Sequence, residues 1–143
     1  MASRSPPVGL AAARTVVRRG IGRALGVAIT SLTRRRVSAR LRVKRAHINR
    51  NGRVNGGVLM AFADVLGATG TVANLPPGHR TTTLESKTNF FMAGAGPALS
   101  AVSVPLHIGR TTMVWQTTIR NSDGRKVAIV TQTQIVIPPR DAE

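Results

Sequence analysis

Asp64 is the first carboxylate in the chain, and it stands inside its most apolar stretch, Val58-Leu59-Met60-Ala61-Phe62-Ala63-Asp64-Val65-Leu66. Aspartate is rarely buried without a partner or a purpose. Two readings are open: a structural one, in which it caps a backbone group or pairs with an arginine, and a chemical one, in which it acts as a base or nucleophile. Eight residues earlier stands Gly56-Gly57. The first turn of a helix has unpaired N–H groups and a dipole that favours negative charge, and glycine lets a ligand approach the backbone closely. Such a turn can hold a carbonyl oxygen and stabilise the oxyanion formed on it. The alternative is that the glycines serve only a tight loop-to-helix turn.

The spacing constrains how the two could cooperate. At a rise of ~1.5 Å per residue, Gly56 and Asp64 lie ~12 Å apart along one helix, too far for one carbonyl to touch both. Two such helices packed antiparallel about a two-fold axis would bring Gly56 of one subunit near Asp64 of the other. If both residues act, two equivalent sites lie at a dimer interface.

The elements that must position these residues follow from periodicity. Pro6-Pro7 interrupts the start, and Val8 to about Arg23 reads as a basic helix weakened at its end by Gly20 and Gly22. Leu25 to Leu32 reads as a strand, and Arg34-Arg35-Arg36 as a turn. Val37 to Arg45 alternates, with Val37, Ala39, Leu41 and Val43 on one face and Ser38, Arg40, Arg42 and Lys44 on the other, which predicts a half-buried strand. Asn49 to Asn55 is turn-rich. Val58 to Leu75 predicts a helix, stopped by Pro76-Pro77-Gly78 and apolar nearly all round, so it is wrapped by other structure. Thr81–Met92, Pro97–His107, Thr111–Arg120 and Arg125–Ile137 are strand-like, Asn121-Ser122-Asp123-Gly124 is a hairpin turn, and Pro105 marks a bulge or an edge. Two strands, one buried helix and four strands make an α+β plan in which a sheet curls around a helix.

Charge and composition narrow the classes. The formal net charge is +16, and residues 1–63 hold fourteen Lys or Arg and no acid, while the remaining eighty hold seven basic and five acidic groups. A basic front suits nucleic acid, an anionic membrane surface or an anionic small molecule. The aromatics are only Phe62, Phe90, Phe91 and Trp115, too few for the stacking platforms of single-stranded nucleic-acid binders. With no cysteine there is no disulfide framework, thiol nucleophile or Cys-based zinc site. His47, His79 and His107 have no acidic cluster beside them, so no metal is expected. No apolar run reaches the ~18–20 residues needed to span a bilayer. Residues 1–24 are expected to form a basic tail or helix that could touch a membrane and overlaps organelle targeting segments in composition. Residues 25–137 form the domain and 138–143 a tail.

The run His47-Ile48-Asn49-Arg50-Asn51-Gly52-Arg53-Val54-Asn55-Gly56-Gly57-Val58, followed by Asp64, resembles the signature of phenylacetate-pathway (PaaI-type) hotdog-fold thioesterases. In that signature an Asn, a Gly three residues later, a His-Gly-Gly and an Asp or Glu occur in this spacing. Thr83-Leu84-Glu85 leading to Asn89-Phe90-Phe91, then His107-Ile108-Gly109-Arg110, and Asp123-Gly124-Arg125-Lys126-Val127-Ala128 extend the resemblance over residues 25 to 137. It implies a hotdog fold, an antiparallel sheet around one long central helix, and hydrolysis of acyl-CoA with no cofactor in a cytoplasmic homodimer or homotetramer. It implies that Asp64 is the base or nucleophile, that the Gly56 N–H meets the thioester oxygen, and that Asn49 helps place the reacting group or water. Thr83 would lie near the carboxylate of the partner site. Asn55 and Gly57 would line the substrate, and Arg110 is either a turn residue or a contact to a CoA phosphate. Asn55 stands where the family has His and cannot shuttle a proton near neutral pH. A binder of acyl-CoA with little turnover is therefore the alternative, with a nucleic-acid-binding protein behind it.

Overall fold

The computed structural model describes residues 8–140; the remainder of the expected tails lies outside them. The elements run α1 (Leu10–Val17), α2 (Gly20–Leu25), β1 (Val27–Thr33), β2 (Arg36–Arg42), a single 3-10 turn (Arg45–His47), α3 (Gly56–Val72), β3 (Arg80–Phe90), β4 (Ala98–Ile108), β5 (Thr112–Asn121) and β6 (Lys126–Ile137). The six strands form one antiparallel sheet in the order β1-β2-β4-β5-β6-β3. Its inner face curls around α3, the predicted α+β hotdog architecture.

Several boundaries differ from the sequence expectation, each for a local reason. The single basic helix over Val8–Arg23 is two helices, because the backbone turns extended at Arg19 (φ −115°, ψ 158°) and Gly20, the first residue of α2, takes a left-handed φ of 54°. Gly26, with φ 76°, ends α2 and delays the first strand to Val27. Arg36 belongs to β2 and leaves only two residues in the preceding turn. Helix α3 starts two residues early, at Gly56, because Asn55 caps it. It ends at Val72, three residues before Leu75, where the Asn74 amide bonds the Gly70 and Arg34 carbonyls, both at 2.8 Å. Pro105 does sit at a bulge, between Pro105 and His107, just past the last β4 residue paired to β2, Ser103.

The core lies between the inner sheet face and one side of α3, where Leu59, Phe62, Ala63 and Leu66 meet Trp115, Leu41 and Leu99. Gly70 allows the closest approach to the indole: a Cβ there would stand 2.6–2.8 Å from the buried Trp115 ring. Gly70→Ala is therefore expected to destabilise the fold by about 1–3 kcal/mol, the usual cost of overpacking, read as a lower midpoint in urea with an unchanged slope. An unchanged midpoint would show that the ring has room to move.

Candidate active site

Asp64 projects from the middle of α3 toward β3 and β6. Its Oδ1 accepts from Thr83 Oγ1 at 2.8 Å and from Gln132 Nε2 at 3.2 Å. Thr83 in turn accepts from Gln134 Nε2 at 2.7 Å, and the Gln134 oxygen accepts from Thr81 at 3.1 Å. Both bonds to Asp64 fall on one oxygen. Oδ2 meets no protein donor among the described residues. Asp64 is one of the residues lining a largely apolar cavity of about 260 Å³ between α3 and the α1–α2 pair, together with Val17, Ile21, Val65, Ala68 and Val72.

The strands explain this placement. Register shifts between Thr83 and Glu85, leaving Leu84 as an unpaired bulge residue. Thr81 and Thr83 turn inward before it, opposite Val136 and Gln134. Thr83, expected near the carboxylate of the partner site, donates to Asp64 of its own chain. Gln132 and Gln134, both fully buried, escaped the sequence reading. Gly67 makes room for Gln132, whose amide group occupies the space that a Cβ at position 67 would need.

At the other end of α3, the orphan donors of the first turn are nearly all spoken for. The Gly57 N–H goes to Asn55 Oδ1 at 2.8 Å, and the Val58 and Leu59 N–H groups go to the Asn55 carbonyl at 3.0 and 3.4 Å. The Gly56 N–H has no acceptor among the described residues, which leaves one donor free to meet an anion. Asn55 is therefore an N-cap, a task for which an amide oxygen is well suited, and the Gly57 N–H is already used by it.

Asn49 organises the preceding loop. Its Oδ1 accepts from Asn51 N–H at 2.9 Å and Arg53 N–H at 3.1 Å, so only its NH₂ remains for a ligand. Asn49, Arg53, Gly56 and Phe90 line a second cavity, of about 400 Å³, which shares no lining residue with the one beside Asp64. Asp64 and Gly56 of one chain thus line separate concavities. Arg110 is exposed on the β4–β5 turn and lines neither.

His47 braces the loop from beneath. It is buried, its carbonyl accepts from Asn55 N–H at 2.8 Å, and its Nδ1 accepts from Lys44 N–H at 3.0 Å, so the ring is neutral with its proton on Nε2. Burial first, and then the Lys44 ammonium, hold its pKa below the ordinary 6.5 against a smaller pull from the Leu25 carbonyl. A group whose folded pKa is depressed in this way adds stability that is complete above its unfolded value. That stability is lost as pH falls through the folded value, because the unfolded chain takes the proton first. The thermal midpoint of the wild type is expected to drop between pH 7.5 and 5 by more than that of His47→Asn, which keeps an acceptor but does not titrate. Parallel pH profiles would sink this assignment.

A six-stranded antiparallel sheet curled around one long helix defines a hotdog-fold protein, here with a carboxylate midway along that helix and a free N–H at its start. The sequence profile of the thioesterase superfamily matches residues 51–128, more than half of the chain and inclusive of Gly56, Asp64 and Thr83. The chain belongs to the thioesterase superfamily. A Vibrio cholerae protein classed as a presumptive esterase is 29% identical over 105 residues, covering 73% of this chain and 70% of that one. Among solved structures, a thioesterase from Haemophilus influenzae superposes with a TM-score of 0.87 at 22% identity, covering 94% of both chains. A hypothetical thioesterase from Streptococcus pneumoniae, solved with coenzyme A, gives 0.72 at 28% identity over 80% of this chain and 88% of that one.

Proposed function

We propose that this protein hydrolyses acyl-CoA thioesters to free acid and CoA, at two composite sites of a homodimer arranged as in PaaI-type enzymes. The observation that carries the reading is a pair of groups without a protein partner, one carboxylate oxygen of Asp64 and the N–H of Gly56, on residues that line separate cavities. Thioester hydrolysis needs a carboxylate that either activates water or attacks the carbonyl carbon itself, and a donor for the oxyanion. The thiolate leaves as CoA, and water supplies the oxygen of the acid. The coenzyme A held by the Streptococcus relative supports CoA as the carrier, and the reaction calls for no cofactor. Arg110 is a further candidate contact to CoA, reaching a phosphate from the exposed turn. The cytoplasm is the proposed location; no helix among the described residues is long and apolar enough to cross a membrane.

Two surface features support the dimer. Strand β3 is a sheet edge, bonded only to β6. It exposes Leu84 (57%) and Phe90 (50%), and Phe91 (56%) is exposed one residue past its end. On α3, Gly56, Met60 and Asp64 fall on one face at intervals of four, and Met60 is 40% exposed although the helix has no charged residue but Asp64. An antiparallel partner across this face would cover Met60 and Phe90 and set Asp64 of one chain opposite Gly56 of the partner subunit. A homotetramer would be a pair of such dimers.

Mixing two inactive variants tests the composite site. A heterodimer of Asp64→Asn and Gly56→Pro chains holds one site with both wild-type groups, so activity should return when the two proteins are refolded together. Activity that stays absent in a verified heterodimer places both groups in one chain, or neither in the chemistry.

A further inference from the structure

The two cavities differ in character, and the difference orients the substrate. The cavity beside Asp64 is walled by aliphatic side chains of α1, α2 and α3. The one at Gly56 opens onto the loop Asn49–Arg53, where Arg53 lines the cavity and Arg50 stands exposed at the tip. Four cations, Lys44, Arg45, Arg50 and Arg53, fall within ten residues with no acid among them. The Lys44 ammonium points elsewhere, toward Gly26. On the β5–β6 turn, Asp123 is engaged locally, accepting from the Arg125 N–H at 2.9 Å. The loop is held in shape by the two bonds to Asn49 Oδ1 and by a left-handed Gly52 at φ 73°, so its guanidinium groups are carried on an ordered frame.

We infer that the Asn49–Arg53 loop is a phosphate subsite, in which Arg50 and Arg53 bind the phosphorylated end of a pantetheine-type thiol carrier while the acyl group enters the cavity beside Asp64 of the partner subunit. The inference rests on the proposed thioester hydrolysis and adds the direction of the substrate across the dimer. Guanidinium suits the role: it is always charged and binds phosphate oxygens in pairs. The N–H of Gly56, a residue lining the same cavity, then meets the thioester oxygen, so carrier and carbonyl share one subunit and the acyl group crosses to the other.

The test is binding, not turnover. Calorimetry would compare CoA, 4′-phosphopantetheine and pantetheine on the wild type and on the double variant Arg50→Ala/Arg53→Ala. CoA is expected to bind the wild type at least about tenfold more tightly than pantetheine, the double variant to lose that margin, and added salt to erode it. The double variant Arg50→Lys/Arg53→Lys should recover part of it, which a collapsed loop would not. If 4′-phosphopantetheine matches CoA, the loop reads the phosphate common to CoA and to carrier proteins; if only CoA shows the margin, it reads the nucleotide phosphates. CoA affinity that is equal in the wild type and the alanine variant, or no tighter than that of pantetheine in the wild type, overturns the subsite. The proposed hydrolysis fails separately, on an acyl-CoA panel with Asp64→Asn.

Discussion

Asparagine at position 64 is expected to lower kcat on acyl-CoA substrates by about 10²- to 10⁴-fold while leaving KM and the fold nearly unchanged. The substitution is sterically conservative. The Asn oxygen can still accept from Thr83 and Gln132, which now meet Asp64 Oδ1 at 2.8 and 3.2 Å. What changes is the other atom: an NH₂ replaces the oxygen that no protein group holds, and an amide neither takes a proton nor attacks a carbonyl. Steady-state rates over a panel from short aliphatic to aromatic acyl-CoAs, beside a thermal melt, would check it. Turnover within about threefold of wild type, by a protein that melts normally, would remove Asp64 from the mechanism.

Proline at position 56 should cost about 10²- to 10³-fold in kcat by deleting one hydrogen atom from the oxyanion site. Gly56 is the first residue of α3, where proline is tolerated because its N–H has no helical acceptor. Asn55, with φ −61° and ψ 137°, already has the extended backbone that a following proline requires. A Cβ at position 56 would come within 3.3–3.4 Å of the Phe90 ring edge, which is half exposed and can shift. Gly56→Ala is the control: it carries the Cβ but keeps the N–H, so it should retain most of the activity. Equal losses in the two variants would mean that space at Gly56, and not its N–H, matters.

Much of the candidate site was legible because it is written in local sequence. Asp64 stands out as a carboxylate within an apolar helix, and Gly56-Gly57 as a helix start, without any tertiary information. The buried glutamines were not recognised, yet a signal existed. On β6, Val130, Gln132, Gln134 and Val136 fall on one face at a period of two, and two amides among core positions are a polar exception. Which residues would answer them depends on the pairing of β3 with β6, contacts more than fifty positions apart in sequence.

The cap shows the opposite case. Asn55 departs from the family histidine and suggested impaired chemistry, but its oxygen closes the first turn of α3 and so does work an amide can do unaided. The neighbouring Asn49 is likewise spent on the loop. A side chain's type limits what it can do; its nearest backbone donors decide what it does.

By itself the sequence determined the order of the six strands about the helix that carries Asp64, the register of polar and apolar faces on β2, and the basic front half of the chain. These follow from periodicity and composition, which act over a few residues. Only the tertiary structure decided that Thr83 holds Asp64 of its own chain, that one Asp64 oxygen and the Gly56 N–H have no protein partner among the described residues, and that Asp64 and Gly56 line separate cavities. Those outcomes depend on the Leu84 bulge, on the sheet closing against Gly67 and Gly70, and on α1 and α2 covering one end of α3. Each is a contact between distant segments, fixed by packing in three dimensions, and no local pattern of residues encodes it.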